Sequence, residues 1–252
     1  MMIRLGLLCG MALAVAACGP DPYLPKHTPQ LSEQDSGVPV ERGVDPAVAA
    51  RIAAHFERDS TLGRPRGIYV VPGQADRHLV VGWNPRGTDY GLRFILLASE
   101  NASVRELARS RGMMDSDWLD PVFFAEGECH FLLADAGSEG SWGVEAFRLC
   151  RDSLSPMGTI PVSALPVNTV HDPAENPLPF ARMRRGTKEP VVEFTADLVH
   201  WVNPNGDGAM SDSLLRGRGG RPIAFRATSG GFQLVAESVS PTNDRTSPEE
   251  SS

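Results

Sequence analysis

Basic residues are fewer than acidic residues in this chain, and very few of them are lysines. The 252 residues include 24 Lys and Arg against 31 Asp and Glu, and the only lysines are Lys26 and Lys188. A nucleic-acid-binding protein needs a basic surface to neutralise phosphates, so the acidic balance argues against a nucleic-acid partner. The same balance gives no polybasic segment for anionic lipid headgroups.

The familiar catalytic motifs are missing as well. The sequence has no Gly-x-Ser-x-Gly elbow, no His-Glu-x-x-His, no P-loop and no dinucleotide fingerprint. The six histidines show no short metal-ligand spacing. The sequence therefore favours a binding protein over an enzyme.

No long apolar run is evident beyond the N-terminus. Leu5 to Ala17 form an apolar stretch of 13 residues, preceded by a single charge on Arg4. A membrane-spanning helix needs about 20 apolar residues, so this stretch is too short to cross a bilayer. A positive start followed by a short apolar core is typical of a secretory signal peptide over residues 1–17.

The apolar run ends in Val15-Ala16-Ala17-Cys18, which resembles the lipobox of bacterial lipoproteins. The resemblance implies cleavage before Cys18, a diacylglyceryl group on its thiol and an acylated amine. Cys9 is a poorer candidate because the bulky Leu8 precedes it. Gly19 resembles the pattern of lipoproteins sorted to the outer membrane, so we expect a lipid-anchored protein on the periplasmic side. An ordinary secretory signal containing a cysteine is the alternative.

Only Cys129 and Cys150 remain for the exported domain, and an oxidising compartment favours a disulfide between them. Two strand-like segments, 128–134 and 143–150, flank a turn-rich stretch. A hairpin centred near Glu139 and Gly140 would place the two cysteines opposite each other. A redox or metal-binding thiol pair is the alternative.

The pattern along the chain predicts a tether, a domain and a tail. Residues 18–44 are rich in proline and polar residues, which predicts a flexible tether carrying the lipidated Cys18. Residues 45–238 form the predicted domain, and residues 239–252 are expected to be disordered. Helices are predicted from Pro46, behind an Asp45 cap, and from Ser103 to about Arg111. We expect an α+β fold with two early helices, a mainly antiparallel sheet and one disulfide-stapled hairpin.

One polar segment resembles the first half of EF-hand and dockerin-type calcium loops. Its oxygen-bearing side chains alternate and a glycine follows them. The candidate ligands are Asn203, Asn205, Asp207 and Asp212. Asn replaces Asp at the first position and Leu214 replaces the carboxylate at the twelfth. A polar turn that leads into a short helix explains the same residues.

Two clusters combine aromatic and polar side chains. The acidic run around Trp118 includes Asp117 and Asp120, and paired carboxylates there could catalyse acid–base chemistry on a glycan. Trp83, Arg86 and Tyr90 follow a predicted strand, and such residues are enriched at protein interfaces. The alternatives are a solvated loop with a packed Trp and a half-buried Trp at a strand end.

Two classes of function are compatible with these features. The first is an envelope lipoprotein that binds a protein or another envelope component, as an assembly factor or an immunity-type inhibitor does. The second is a periplasmic hydrolase of cell-wall or glycan substrates that uses Asp and Glu. The anchor and the missing catalytic motifs favour the first, with Trp83, Arg86, Tyr90 and Trp118 as candidate binding residues.

Overall fold

The computed structural model describes residues 21–33, 38–59, 61–84, 90–113, 116–138, 141–165, 175–202 and 211–242. Within these ranges the chain is mostly β-strand, with one α-helix and three short 3-10 helices at Leu178–Phe180, Arg218–Gly220 and Ala236–Ser238. The predicted anchor residue Cys18 and its neighbour Gly19 lie outside the described residues. No helix in the described ranges has the length and apolar character needed to cross a bilayer.

The strands are numbered in chain order. The first seven are β1 Lys26–His27, β2 Leu31–Glu33, β3 Pro39–Glu41, β4 Gly67–Val71, β5 Gln74–Asn84, β6 Gly91–Glu100 and β7 Ser103–Arg109. The next five are β8 Trp118–Glu126, β9 Cys129–Gly137, β10 Ser141–Cys150, β11 Ser153–Ile160 and β12 Val162–Ala164. The last seven are β13 Ala181–Met183, β14 Val191–Phe194, β15 Leu198–Val202, β16 Ser211–Gly217, β17 Ile223–Thr228, β18 Gly231–Leu234 and β19 Val239–Thr242.

Helix α1, Pro46–Arg58, begins as its sequence predicts. The Asp45 side chain accepts a hydrogen bond from the Ala47 amide at 2.7 Å, and Pro46 occupies the first turn. Both features satisfy or remove amide groups that a helix start leaves unpaired. Ile52 and Phe56 point one turn apart into the core and are fully buried. Their burial fixes the helix against the first sheet.

Four sheets share the strands. The first sheet has the order β2-β3-β4-β5-β6-β7 and the second has the order β1-β8-β9-β10-β11. The third runs β13-β14-β17-β18 and the fourth β12-β15-β16-β19. All strand pairs are antiparallel except β3 and β4, which meet in parallel at Val40 and Ile68. The mainly antiparallel architecture confirms the coarse prediction from the sequence.

The sheets stack in layers, and the second sheet lies between its neighbours with both faces buried. Phe123 and Leu132 pack towards the first sheet, whereas Phe124 and Phe131 pack towards the third and fourth. This alternation explains why β8 and β9 read as nearly continuous apolar runs, since each face of the strand has a core to fill. A further core lies between the first sheet and α1.

The second predicted helix is wrong. Residues Ser103–Arg109 form strand β7, which pairs antiparallel with β6 from Glu100 to Ile95. The Glu106 side chain, expected to cap a helix, instead accepts hydrogen bonds from Arg109 at 2.6 and 2.9 Å. Strand β6 is buried along most of its length, and without β7 one side of its backbone would be unpaired. A strand partner there satisfies more backbone groups than a local helix would.

Parts of the predicted tether and tail belong to the folded body. Lys26 pairs with Phe124 of the second sheet, and β3 lies beside β4 in the first sheet. Leu24 and Val40 are buried in two different cores. At the other end of the chain, Val239–Thr242 forms β19 and pairs with β16. Proline-rich composition predicted flexibility because it lacks periodicity, but strands of two to four residues are too short to show a periodic pattern.

Candidate binding site at the tryptophan end

All four tryptophans of the chain lie at strand termini at one end of the stacked sheets, called here the tryptophan end. Trp83 is near the end of β5, Trp118 opens β8, Trp142 is the second residue of β10, and Trp201 is near the end of β15. Leu92 pairs with Trp83 and also with Met113. Leu92 and Met113 pack in one core with Leu119 of β8, so the first and second sheets meet here.

A chain of hydrogen bonds joins two of these tryptophans through the interior. The Trp118 indole donates to Asp135 at 2.9 Å, and the Ser141 hydroxyl donates to the other carboxylate oxygen at 2.5 Å. The Ser163 hydroxyl donates to the Ser141 carbonyl at 2.6 Å and accepts from the Trp201 indole at 3.0 Å. Asp135, Ser141 and Ser163 are buried. The network therefore fixes the second and fourth sheets relative to each other at this end.

A recess of about 340 Å³ opens beside the network. Its wall includes Arg111, Met113, Ser116, Trp142, Glu145 and Thr159. Trp142 is 45 % exposed, and its neighbours Ser141 and Gly143 in the strand are buried. Thr159 donates a hydrogen bond to Glu145 at 2.8 Å. An aromatic face beside a carboxylate and an arginine can stack on an apolar or planar group and also hydrogen-bond a ligand.

No protein-family model, curated protein or solved structure matches this chain. Its function is therefore argued from the residues of the chain itself.

The structure brings together part of the binding cluster predicted from the sequence. Trp83 is half-buried against the core between the first and second sheets, and its ring meets Tyr90 edge-on at 5.7 Å. Trp118 lies at the same end, held by Asp135. Arg86 lies outside the described residues. The burial of Trp83 shows that packing accounts for part of this cluster, since a packed ring presents less surface to a partner.

Trp142 and Trp201 were missed as candidate residues. Trp142 is exposed between the buried residues Ser141 and Gly143, where the register of the β9–β10 ladder shifts. No alternation in β10 signals this exposure, because its burial pattern does not follow a period of two around Trp142. The position of the Trp201 ring depends on its hydrogen bond to Ser163, which lies 38 residues earlier in the chain. No local sequence pattern shows this contact.

The structure places Asp120, from the acidic run around Trp118, beside a second carboxylate. Asp120 lies opposite Asp135 in the β8–β9 ladder. The pKa of Asp135 is raised by burial, against the lowering effect of hydrogen bonds from Ser141 and Trp118. The pKa of Asp120 is raised by desolvation and further by the charge of Asp135. Because Asp135 already accepts two hydrogen bonds, its first role is to hold the network together.

The calcium hypothesis concerns residues that are mostly not described. Asn203, Asn205 and Asp207 lie outside the described residues, and calcium binding by them stays a prediction. Asp212 falls in strand β16, where its backbone pairs with Trp201, and not in the short helix expected as the alternative. Among the described residues, no three His, Cys, Asp or Glu side chains come together as a metal site.

The predicted disulfide is confirmed. Cys129 and Cys150 are register partners at one end of the β9–β10 ladder, with Cα atoms 4.4 Å apart and a bond between their sulfur atoms. The turn residues 139–140 lie outside the described residues. The disulfide lies at the opposite end of β9 from Asp135, so it takes no part in the tryptophan network.

The buried Asp135 predicts a specific pH dependence of stability. Its folded pKa is raised above the ordinary value of 3.8, so the folded state binds more protons than the unfolded state between those two values. The stabilisation from Asp135 is fully present below about pH 3.8 and is lost as pH rises through the folded pKa. We expect the free energy of unfolding of wild type, minus that of Asp135→Asn, to decrease over this window.

Urea titrations of both proteins at a series of pH values measure that difference. Asn cannot ionise, so it removes the contribution of residue 135 while keeping the size of the side chain. A difference that stays constant, or that increases with pH, would show that burial does not control the ionisation of Asp135.

Proposed function

We propose that this chain is an envelope lipoprotein, held on the periplasmic side of the outer membrane by lipid on Cys18, that binds a protein or another envelope component at the tryptophan end. The observation that carries the proposal is the exposed Trp142 beside a recess, at the end of the molecule where all four tryptophans lie. Tryptophan is among the residues most enriched in the energetic centres of interfaces.

The path of the chain supports membrane attachment and partner binding at opposite ends of the folded body. The Ala125 amide of β8 donates to the Pro25 carbonyl at 3.0 Å, so the N-terminal segment enters beside the end of β8 that is remote from Trp118. Seven residues separate Ala125 from Trp118, which is about 24 Å in an antiparallel strand. A lipid on Cys18 therefore leaves the tryptophan end directed away from the point of attachment.

A second candidate function is hydrolysis of cell-wall or glycan material. The specific observation in its favour is that Asp120 and Asp135 lie opposite each other near Trp118, both with raised pKa values. A raised pKa is the property that a carboxylic acid needs to donate a proton near neutral pH. The engagement of Asp135 by Trp118 and Ser141 counts against this role.

Substitution of Trp142 tests the binding proposal. Trp142→Ala should reduce capture of a cross-linked partner by about tenfold, because a central interface tryptophan contributes at least about 1.4 kcal/mol. The free energy of unfolding should change by less than about 0.5 kcal/mol, because the side chain is exposed. The measurement is the yield of a stoichiometric adduct after cross-linking the full chain in its membrane.

Leu31→Ala is the matched control, because Leu31 is the other large apolar side chain that is exposed among the described residues, at 37 %. Equal adduct yields from Trp142→Ala, Leu31→Ala and wild type would refute binding at the tryptophan end. No adduct in any sample, together with turnover of muropeptides that Asp120→Asn abolishes, would support the hydrolase instead.

A further inference from the structure

A second and larger cavity, of about 600 Å³, lies on the third sheet where the N-terminal segment joins it. Its wall combines residues of β14 and β17 with Tyr23 and with the chain around Lys188 and Arg221. Tyr23 and Arg184 form an isolated antiparallel β-bridge, and the Arg185 amide donates to the Pro22 carbonyl at 2.7 Å. The start of the described chain is therefore part of this cavity.

The floor of the cavity is a buried carboxylate with two partners. Glu193 is 1 % exposed, accepts a hydrogen bond from the Tyr23 hydroxyl at 2.9 Å, and forms an ion pair with Arg184. The hydrogen bond to Glu193 raises the pKa of Tyr23, so this hydroxyl stays protonated and remains a donor to Glu193. The guanidinium of Arg182 lies 5.4 Å from the Tyr23 ring centroid. These contacts fix the geometry of the cavity.

The surroundings of the cavity carry a surplus of positive charge. Six basic side chains lie in or next to it: Arg182, Arg184, Arg185, Lys188, Arg221 and Arg226. Four carboxylates oppose them by the same criterion. Asp21 accepts a hydrogen bond from the Tyr23 amide at 2.9 Å, Glu193 is already paired with Arg184, and Glu189 and Glu237 lie exposed at the rim. Among described residues, none of the other five basic groups has a carboxylate within ion-pair distance.

The fold assembles this basic surface from residues that are not adjacent in the sequence. The net charge of the chain is −7, yet β14 lies between β13 and β17 with Val191 opposite Arg226, and the end of the β13–β14 connection lies beside Ala227. Arginines from two stretches about 40 residues apart thus share one face. Net charge describes a whole chain, whereas a charged ligand responds to the local arrangement.

The cavity is close to the proposed point of attachment. Five residues separate Tyr23 from Cys18, and a fully extended chain of that length spans at most about 18 Å. A lipid on Cys18 therefore brings the cavity to the headgroup layer, where anionic phospholipids carry phosphates whose negative charge no amine balances. Arginine binds phosphate oxygens through paired N–H donors, which suits Arg221 and Arg226 to this partner.

We propose that this cavity binds the phosphate of an anionic phospholipid headgroup in the membrane that holds Cys18. The proposal rests on the lipid anchor put forward above, which supplies the proximity. It adds a second contact with the bilayer, and two contacts fix the orientation of a body that one lipid would leave free to rotate. The membrane-facing surface is then the third sheet, and the tryptophan end lies away from the bilayer.

Arginine footprinting on the full chain tests this contact. The protein purified from membranes is placed in vesicles of phosphatidylcholine, with or without phosphatidylglycerol, and modified with phenylglyoxal before mass spectrometry. We expect modification of Arg221 and Arg226 to slow by about fivefold or more in anionic vesicles, as bound phosphate shields the guanidinium groups. Arg148 and Arg105, which are exposed on strands of the second and first sheets, are the internal controls and should not change.

Each other outcome has a definite meaning. Equal rates in both kinds of vesicle would overturn the headgroup site. Protection by soluble glycerol phosphate in neutral vesicles, as strong as that by anionic vesicles, would identify the ligand as free phosphate and overturn the lipid assignment. The mass of the same sample reports acylation of Cys18, so an unacylated chain that anionic vesicles still protect would refute the anchor while supporting the headgroup site.

An Arg221→Gln, Arg226→Gln double variant should lose protection at Arg182 and Arg185, whereas Arg148→Gln should keep it.

Discussion

Cys18→Ser should release the protein from the membrane fraction almost completely. Each buried methylene of an acyl chain contributes about 0.8 kcal/mol to membrane attachment, and more than one chain makes attachment effectively permanent. Serine keeps the size of the side chain but cannot form the thioether to diacylglycerol. The measurement is the distribution of the chain between membrane pellet and soluble fraction after cell breakage.

Cys9→Ser is the matched control for this experiment. Cys9 lies in the same apolar run, but Leu8 precedes it where the lipobox pattern has a small residue. The Cys9 variant should remain in the pellet and the Cys18 variant should not. A Cys18 variant that stays in the pellet, or a Cys9 variant that leaves it, would contradict the assignment of the lipidated residue.

Loss of the disulfide should have the largest effect on stability. The double variant Cys129→Ser, Cys150→Ser is expected to lower the free energy of unfolding by roughly 3 kcal/mol, a large part of the 5–15 kcal/mol typical of a domain. The bond closes a loop between residues 21 positions apart, and its removal gives the unfolded chain more conformations. Urea denaturation of both proteins under oxidising conditions measures the difference.

Reduction provides the control for the disulfide experiment. A reducing agent should bring wild type to the stability of the double variant and leave the double variant unchanged. If oxidised wild type shows two free thiols by mass, or if reduction does not alter its mobility on a gel, the bond between Cys129 and Cys150 is refuted.

Local chemistry explains which parts of the fold were predictable. The start of α1 depends on Asp45 and Pro46, which act on neighbouring amides, and it was predicted correctly. Strand β7 was mistaken for a helix because Ser103 and Glu106 fit a capping motif, while the ladder with β6 that decides the outcome is a tertiary effect. The short strands β1 and β3 were missed because β1 pairs with β8 and β3 with β4, both of which lie further along the chain.

The same contrast between local and tertiary effects holds for the candidate site. Trp83 and Trp118 are recognisable as candidate binding residues in the sequence because polar or charged residues surround them. Their position at one end with Trp142 and Trp201 follows from strand register and from the Asp135–Ser141–Ser163 network. The basic cavity is a stronger case, since Arg184 and Arg221 come together only when β14 pairs with β17. Sequence patterns identify such residues singly, and the fold determines which of them meet.

The attachment of residues 21–33 to the body also has a mechanical consequence. Force applied through Cys18 would reach the fold first at the contacts of Pro22, Tyr23 and Leu24 with Arg185, Glu193 and Met183. These few bonds would yield before the long ladders of the second sheet. Peeling residues 21–33 would then extend the connection by about 45 Å. The segment would thus lengthen the connection to the membrane under load and pair again with the folded body when the load is removed.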